Sequence, residues 1–504
     1  MDDSDEDHDG RVADEESPRY SGFETGSDAD STAVDAPESR GFQRPTRRAL
    51  LRASALVLGG ATAGCPSPLG SGGPGTDRTP TRISTPTRTP EESSPPNATP
   101  TESETDRPPG PETGTDTTTP SPEAPGLLYV APDGDDRNAG NRTDPLESLS
   151  TALLRAVPGT TVRLRGGTYR PNRTVGAQGL AGTADEPVVV EADPASGERP
   201  VFDFAGATVG GMRFSDCHWL ELGGFTVRNA PSRGLFVEDG SSDVLVEDVS
   251  VWASGGDPDA SGIGVFVLDS RGVTLRRVTS QNNYDPSSGG NNADGIGIER
   301  SPGTLVDSCV ARGNSDDGFD LWQTTETTLR HCWSYDNGYD PDGTEAGDGD
   351  GFKLGGGDAS GANVVRRCIA FDNRVRGFDD NGVIRPVTLY NCTAWRNPID
   401  FRLGCRFDLT EPVCPAHRLR NNLSAGGDVQ LTPLVDSAAN SWDLGVEDPG
   451  FASTDRDDGA FLHLTADSPA VDAGVDVGLS YRGRAPDLGA FEFDPTQTPT
   501  EQGP

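Results

Sequence analysis

The chain has 504 residues, of which 80 are acidic and 42 basic, for a formal net charge of −38. So anionic a molecule lacks the cationic footprint of a nucleic-acid binder, and no run of about eighteen apolar residues offers a membrane-spanning helix. High charge with only 32% hydrophobic residues leaves disorder or a salt-adapted surface, and the apolar patterning further along favours salt adaptation.

In chain order, residues 1–45 are dense in acids and are expected to form a disordered extension. Thr46-Arg47-Arg48-Ala49-Leu50-Leu51-Arg52, a short weakly apolar stretch and then Thr62-Ala63-Gly64-Cys65 resemble a twin-arginine export signal ending in a lipobox. That resemblance implies export in the folded state and lipid attachment at Cys65. The protein is then expected outside the cell or on its surface, touching the membrane only through the anchor. Residues 66–125, rich in Pro and Thr, cannot bury enough surface to fold and read as an extended stalk. Asn97, Asn141, Asn172, Asn391 and Asn422 lie in glycosylation sequons.

From residue 126 to residue 494 the pattern is short β-rich runs, such as Thr161–Leu164 and Pro187–Val190, punctuated by Gly, Asn and Asp. A turn or two of helix is expected at Leu149–Ala156. Residues 495–504 read as a disordered tail. One motif recurs in the body, with Val278, Cys309, Cys332, Cys368 and Cys392 at its fourth position and Asn283, Asn314, Asn337, Asn373 and Asn397 at its ninth. A short core unit with loop insertions predicts an all-β chain, a parallel β-helix whose turns bury one another. The recurring Asn suits a bend where an amide bonds its neighbours above and below. The recurring Cys suits a buried apolar stack, and Cys405 with Cys414 is the best disulfide candidate.

A second element precedes each of these units. Aligned on a glycine, the residue before it forms the column Arg233, Ser261, Asp294, Asp317, Asp350, Arg376. The residue two after it forms Phe236, Gly264, Gly297, Asp320, Lys353, Asp379. Equivalent residues in successive turns lie about 4.8 Å apart, the strand spacing. Carboxylates stacked that closely need a cation, and a flexible all-oxygen cluster suits Ca²⁺. Lys353 is the only lysine of the chain, against 41 arginines. Lysine can be made neutral by its surroundings and arginine cannot.

Asn292-Ala-Asp294-Gly, Ser315-Asp316-Asp317-Gly-Phe-Asp320-Leu, Gly351-Phe-Lys353-Leu-Gly-Gly and Gly377-Phe-Asp379 resemble the family-nine polysaccharide lyases, typified by pectate lyases. The resemblance implies a right-handed parallel β-helix and a calcium-dependent lyase acting on an acidic polysaccharide. It places calcium ligands on Asp294, Asp316, Asp317 and Asp320 and the Brønsted base on Lys353. Arg376 and Asp379, one turn on, are candidate substrate-binding residues. The run Asp348-Gly-Asp350 departs from the pattern and would raise the lysine pKa. The alternatives are a β-helix glycoside hydrolase using paired carboxyls, a uronate C5-epimerase, and a non-catalytic polysaccharide-binding module. A monomer is the default for a capped β-helix.

Overall fold

In the computed structural model, residues 126–257 and 261–496 are described. The expectations on the acidic extension, the export signal, Cys65 and the stalk fall outside them, as does nearly all of the tail. Among the described residues no helix is long and apolar enough to cross a membrane.

The short β-rich runs become three parallel sheets of twelve, ten and ten strands. Every strand pair between them is parallel and joins one turn of the chain to the next. This is a right-handed parallel β-helix. A strand of three or four residues cannot hold an inner face by itself; stacking supplies it. Alternation decides which side chains enter. In strands such as Thr274–Arg276, Leu305–Asp307 and Thr388–Tyr390 only the middle residue is buried. The predicted helix forms at Leu149–Arg155, capped by Ser148, whose side chain accepts the N–H of Thr151. It lays Leu149, Ala152 and Leu153 against the first turns.

Two ladders run along the core. Asn283, Asn314, Asn337, Asn373 and Asn397 are all buried, and each donates from Nδ2 to the side-chain oxygen of the next at 2.7–3.0 Å, ending on Asp400. Beside them stack Phe319, Phe352, Phe378 and Phe401, with ring centroids 4.8–5.0 Å apart and nearly parallel rings. The glycine column lies between bend and strand. A Cβ on Gly318 would stand 1.9 Å from Ser334 Oγ and 2.8 Å from Asn337 Nδ2, so only glycine lets the chain pass the amide ladder. Phe378→Ala is expected to cost about 3–5 kcal/mol of stability, read from denaturant midpoints. Neighbouring rings cannot close the gap, because each is held by its own strand.

The cysteines of the first motif, Cys309, Cys332, Cys368 and Cys392, are buried and free, as expected of an apolar stack. Cys405 and Cys414 are bridged. The sequon residues Asn391 and Asn422 are corrected as glycan sites: both are buried and their amides are used inside the fold. Asn172 is exposed.

Candidate active site

The site is built on the outer face of one ten-stranded sheet, on strands Ile296–Glu299, Phe319–Trp322, Asp350–Lys353, Arg376–Asp379 and Ile399–Leu403. In the pattern Asp-Gly-Phe-Asp the phenylalanine points inward onto its ladder. The residue after it therefore points out. The bend at the glycine turns the residue before it toward the same place.

Strand register bears out the outer column from Gly297 onward, with Gly297 paired with Asp320, Asp320 with Lys353, and Lys353 with Asp379, and in the other column it pairs Asp350 with Arg376. One turn is corrected. Phe236 pairs with Phe266, so Gly264 takes the glycine position, Phe266 replaces Gly264 in the outer column, and Ile263 replaces Ser261 in the other. Ser261-Gly-Ile-Gly264 holds two glycines two residues apart. A shift of two keeps the same faces in and out, so alternation could not choose between them. Strand pairing does: Val265 pairs with Leu235 on one side and with Ile296 on the other.

Of the four expected calcium ligands, Asp294, Asp317 and Asp320 come together in one group, and Asp316 joins Asp317 and Asp348 in a second. Asp294 Oδ1 accepts the N–H of Asp317 at 3.2 Å, and Asp317 Oδ1 accepts that of Asp350 at 2.7 Å. Asp316 is a strut between turns: it accepts Asn292 N–H at 2.7 Å and Asp348 N–H at 2.6 Å. Oxygens of Asp294, Asp317 and Asp320 lie within 4.8 Å of one another, and so do oxygens of Asp316, Asp317 and Asp348. Asp320 Oδ1 is buried with no hydrogen-bond partner. An all-carboxylate set with an unsatisfied buried oxygen fits a hard cation such as Ca²⁺.

Lys353 stands among them, its side chain 12% exposed, with Nζ 3.0 Å from Asp317, 3.0 Å from Asp348 and 3.7 Å from Asp320. Burial pulls its pKa down, but the surrounding carboxylates outweigh burial and hold it well above the ordinary lysine range. For the acids, burial is the first cause and mutual repulsion adds to it. It lifts Asp316 to about 7 and Asp317 and Asp320 to about 6, and Asp294 rises well above its usual range. Asp348 is the exception: the Lys353 charge beside it pulls its carboxyl down.

Beyond the lysine lies an arginine–carboxylate chain. Arg376 Nη1 donates to both oxygens of Asp350, at 3.1 and 3.0 Å, and sits 3.6 Å from Asp379. Asp379 is only 1% exposed. It is a buried support for arginines rather than an exposed contact for a substrate, because the next strand puts Arg402 outside it. Sequence reasoning missed Arg402, whose register partner is Asp379. It also noticed Asp348 only as added charge. That residue sits in the insertion before its strand, where no repeat position locates it.

The chain matches the family described as Pel9A-like, right-handed β-helix region, over residues 128–422. It is 31% identical to pectate lyase L of Dickeya chrysanthemi over 405 residues, 73% of this chain and 90% of that protein. It is 32% identical to pectate lyase L of Paenibacillus polymyxa over 330 residues, 60% of this chain and 69% of that protein. The crystal structure of pectate lyase Pel9A superposes with a TM-score of 0.65 at 29% identity, over 73% of this chain and 96% of that one. With this fold and this carboxylate–lysine cluster, the chain belongs to the Pel9A-like right-handed β-helix family and is a polysaccharide lyase.

Proposed function

We propose that this lyase cleaves pectate by β-elimination, with Lys353 as the base and calcium as the required metal. The observation that carries the reading is the placement of the chain's only lysine, facing outward and 3.0 Å from the buried carboxylate of Asp317. The relatives named pectate lyase support the substrate class.

Asp294, Asp316, Asp317 and Asp320 would hold the ion. Bound there, calcium would supply positive charge to offset the enolate-like charge that builds as the C5 proton leaves. Lys353 Nζ takes that proton. The electron pair forms the C4–C5 double bond, the C4–O4 bond breaks, and the departing oxygen takes a proton from water. The base must be neutral to act, yet Asp317, Asp320, Asp316 and Asp348 hold its pKa well above the ordinary lysine range in the metal-free protein. Neutralising those carboxylates is therefore the condition for catalysis. Asp348 and Asp317 hold the ammonium between them and so aim it along the outer face of the sheet. High salt shortens the reach of the −38 charge, with a Debye length of about 3 Å at 1 M, so a polyanion can approach.

Export by the twin-arginine route, anchoring through Cys65 and a monomeric state complete the proposal; the Arg47-Arg48 motif and the Cys65 lipobox support the first two. The test is the ultraviolet absorbance of an unsaturated uronide from polygalacturonate in high salt. A rise with calcium that chelator abolishes is expected. Fragments without that absorbance would mean hydrolysis, and the β-elimination reading would fall.

A further inference from the structure

We propose that Arg402 is a substrate-binding residue, its outer guanidinium edge taking the carboxylate of a uronate unit beyond the one being cleaved. The inference rests on the lyase reading of the site and adds a residue to it.

Arg402 lies in the same outward column as the base: Lys353 pairs with Asp379, and Asp379 with Arg402. Two strand spacings put it roughly 9–10 Å along the helix axis from Lys353, on the side away from the acid cluster. Its Nε donates to Asp379 Oδ1 at 2.8 Å and its Nη2 to Oδ2 at 2.7 Å. Nη1 has no protein acceptor among the described residues, and the side chain is 38% exposed. One edge of the fork is thus fixed by a buried carboxylate and the other is presented outward. A planar fork of this kind matches a second carboxylate in geometry as well as charge.

A purely structural pair is the plain alternative, and two observations weigh against it. Asp379 already has Arg376 3.6 Å away, and a buried ion pair contributes little net stability by itself. The strand end is also fixed independently of Arg402. Gly404 N–H donates to Asp380 Oδ2 at 2.6 Å, and His417 Nε2 lies 3.1 Å from the same oxygen. The arginine is therefore held in place by a backbone that does not need its charge.

The experiment uses the full chain in calcium and high salt. Binding of a galacturonate oligomer is measured for Lys353→Ala and for Lys353→Ala with Arg402→Gln, and KM and kcat for the wild type and R402Q. R402Q should weaken binding and raise KM about ten- to a hundredfold, with kcat nearly unchanged. It should also narrow the wild-type preference for free over methyl-esterified oligomers, which a structural role would not move. Equal binding by folded R402Q overturns the proposal, as does failure of any uronate oligomer to bind Lys353→Ala. If the wild type makes no unsaturated product but R402Q still weakens binding, the lyase chemistry falls and Arg402 stands. If R402Q does not fold, Arg402→Lys replaces it, keeping the charge beside Asp379 but not the fork. Unchanged affinity in that variant likewise overturns the proposal.

Discussion

Lys353→Ala is expected to lower kcat by about 10²–10⁴-fold, the usual contribution of a positioned general base, with the β-helix intact. The side chain is an outward group at the end of its strand, and its loss opens no core cavity. Lys353→Arg should be as inactive as the alanine variant, because a guanidinium does not give up its proton in a protein. Calcium binding separates a lost base from a damaged site. The ammonium stands 3.0 Å from two of the carboxylates, so its removal leaves them more negative. Lys353→Ala should bind calcium at least as tightly as the wild type in a direct titration. Full activity in that variant would remove Lys353 from the mechanism.

Asp320→Asn is expected to abolish most of the stabilisation that calcium confers on the wild type. A ligand at a hundred times its Kd adds about 2.7 kcal/mol to a folded protein, and a thermal melt with and without chelator reads it. The calcium-free variant should be no less stable than the calcium-free wild type. Asp320 Oδ1 is buried without a hydrogen bond, and an amide there removes a repelling charge. The pH dependence follows in sign. In the metal-free protein Asp316, Asp317 and Asp320 are raised to about 7, 6 and 6, by burial first and by neighbouring carboxylates. Between the ordinary aspartate range and those values the folded state binds more protons than the unfolded one. Stability in chelator should therefore fall as pH rises from about 4 to 7. Calcium should reverse that slope, because the ionised carboxylates are its ligands. A calcium-free melting temperature that rises across this window would contradict the proposed crowding of charge.

Much of this enzyme was legible as a string of residues, for local reasons. Glycine, phenylalanine and asparagine recur because each turn must pass the same amide ladder and stack on the same rings. Any chain repeating that geometry repeats those residues. The acids and Lys353 stood out because they replace the small and apolar residues of earlier turns. Alternation could not fix register where two glycines stood two residues apart, and Phe266 therefore escaped the column.

Sequence alone was enough for the solenoid, the direction of each side chain in most turns, and the gathering of Asp294, Asp317, Asp320 and Lys353, because all follow from a repeat of fixed period. Tertiary structure alone decided what the insertions do. Asp348 reaches Lys353 from a loop outside the repeat, and Asp316 is pinned by the backbones of the turns on either side. Those contacts depend on where loops of unequal length come to rest against one another, and a periodic pattern carries no information about that.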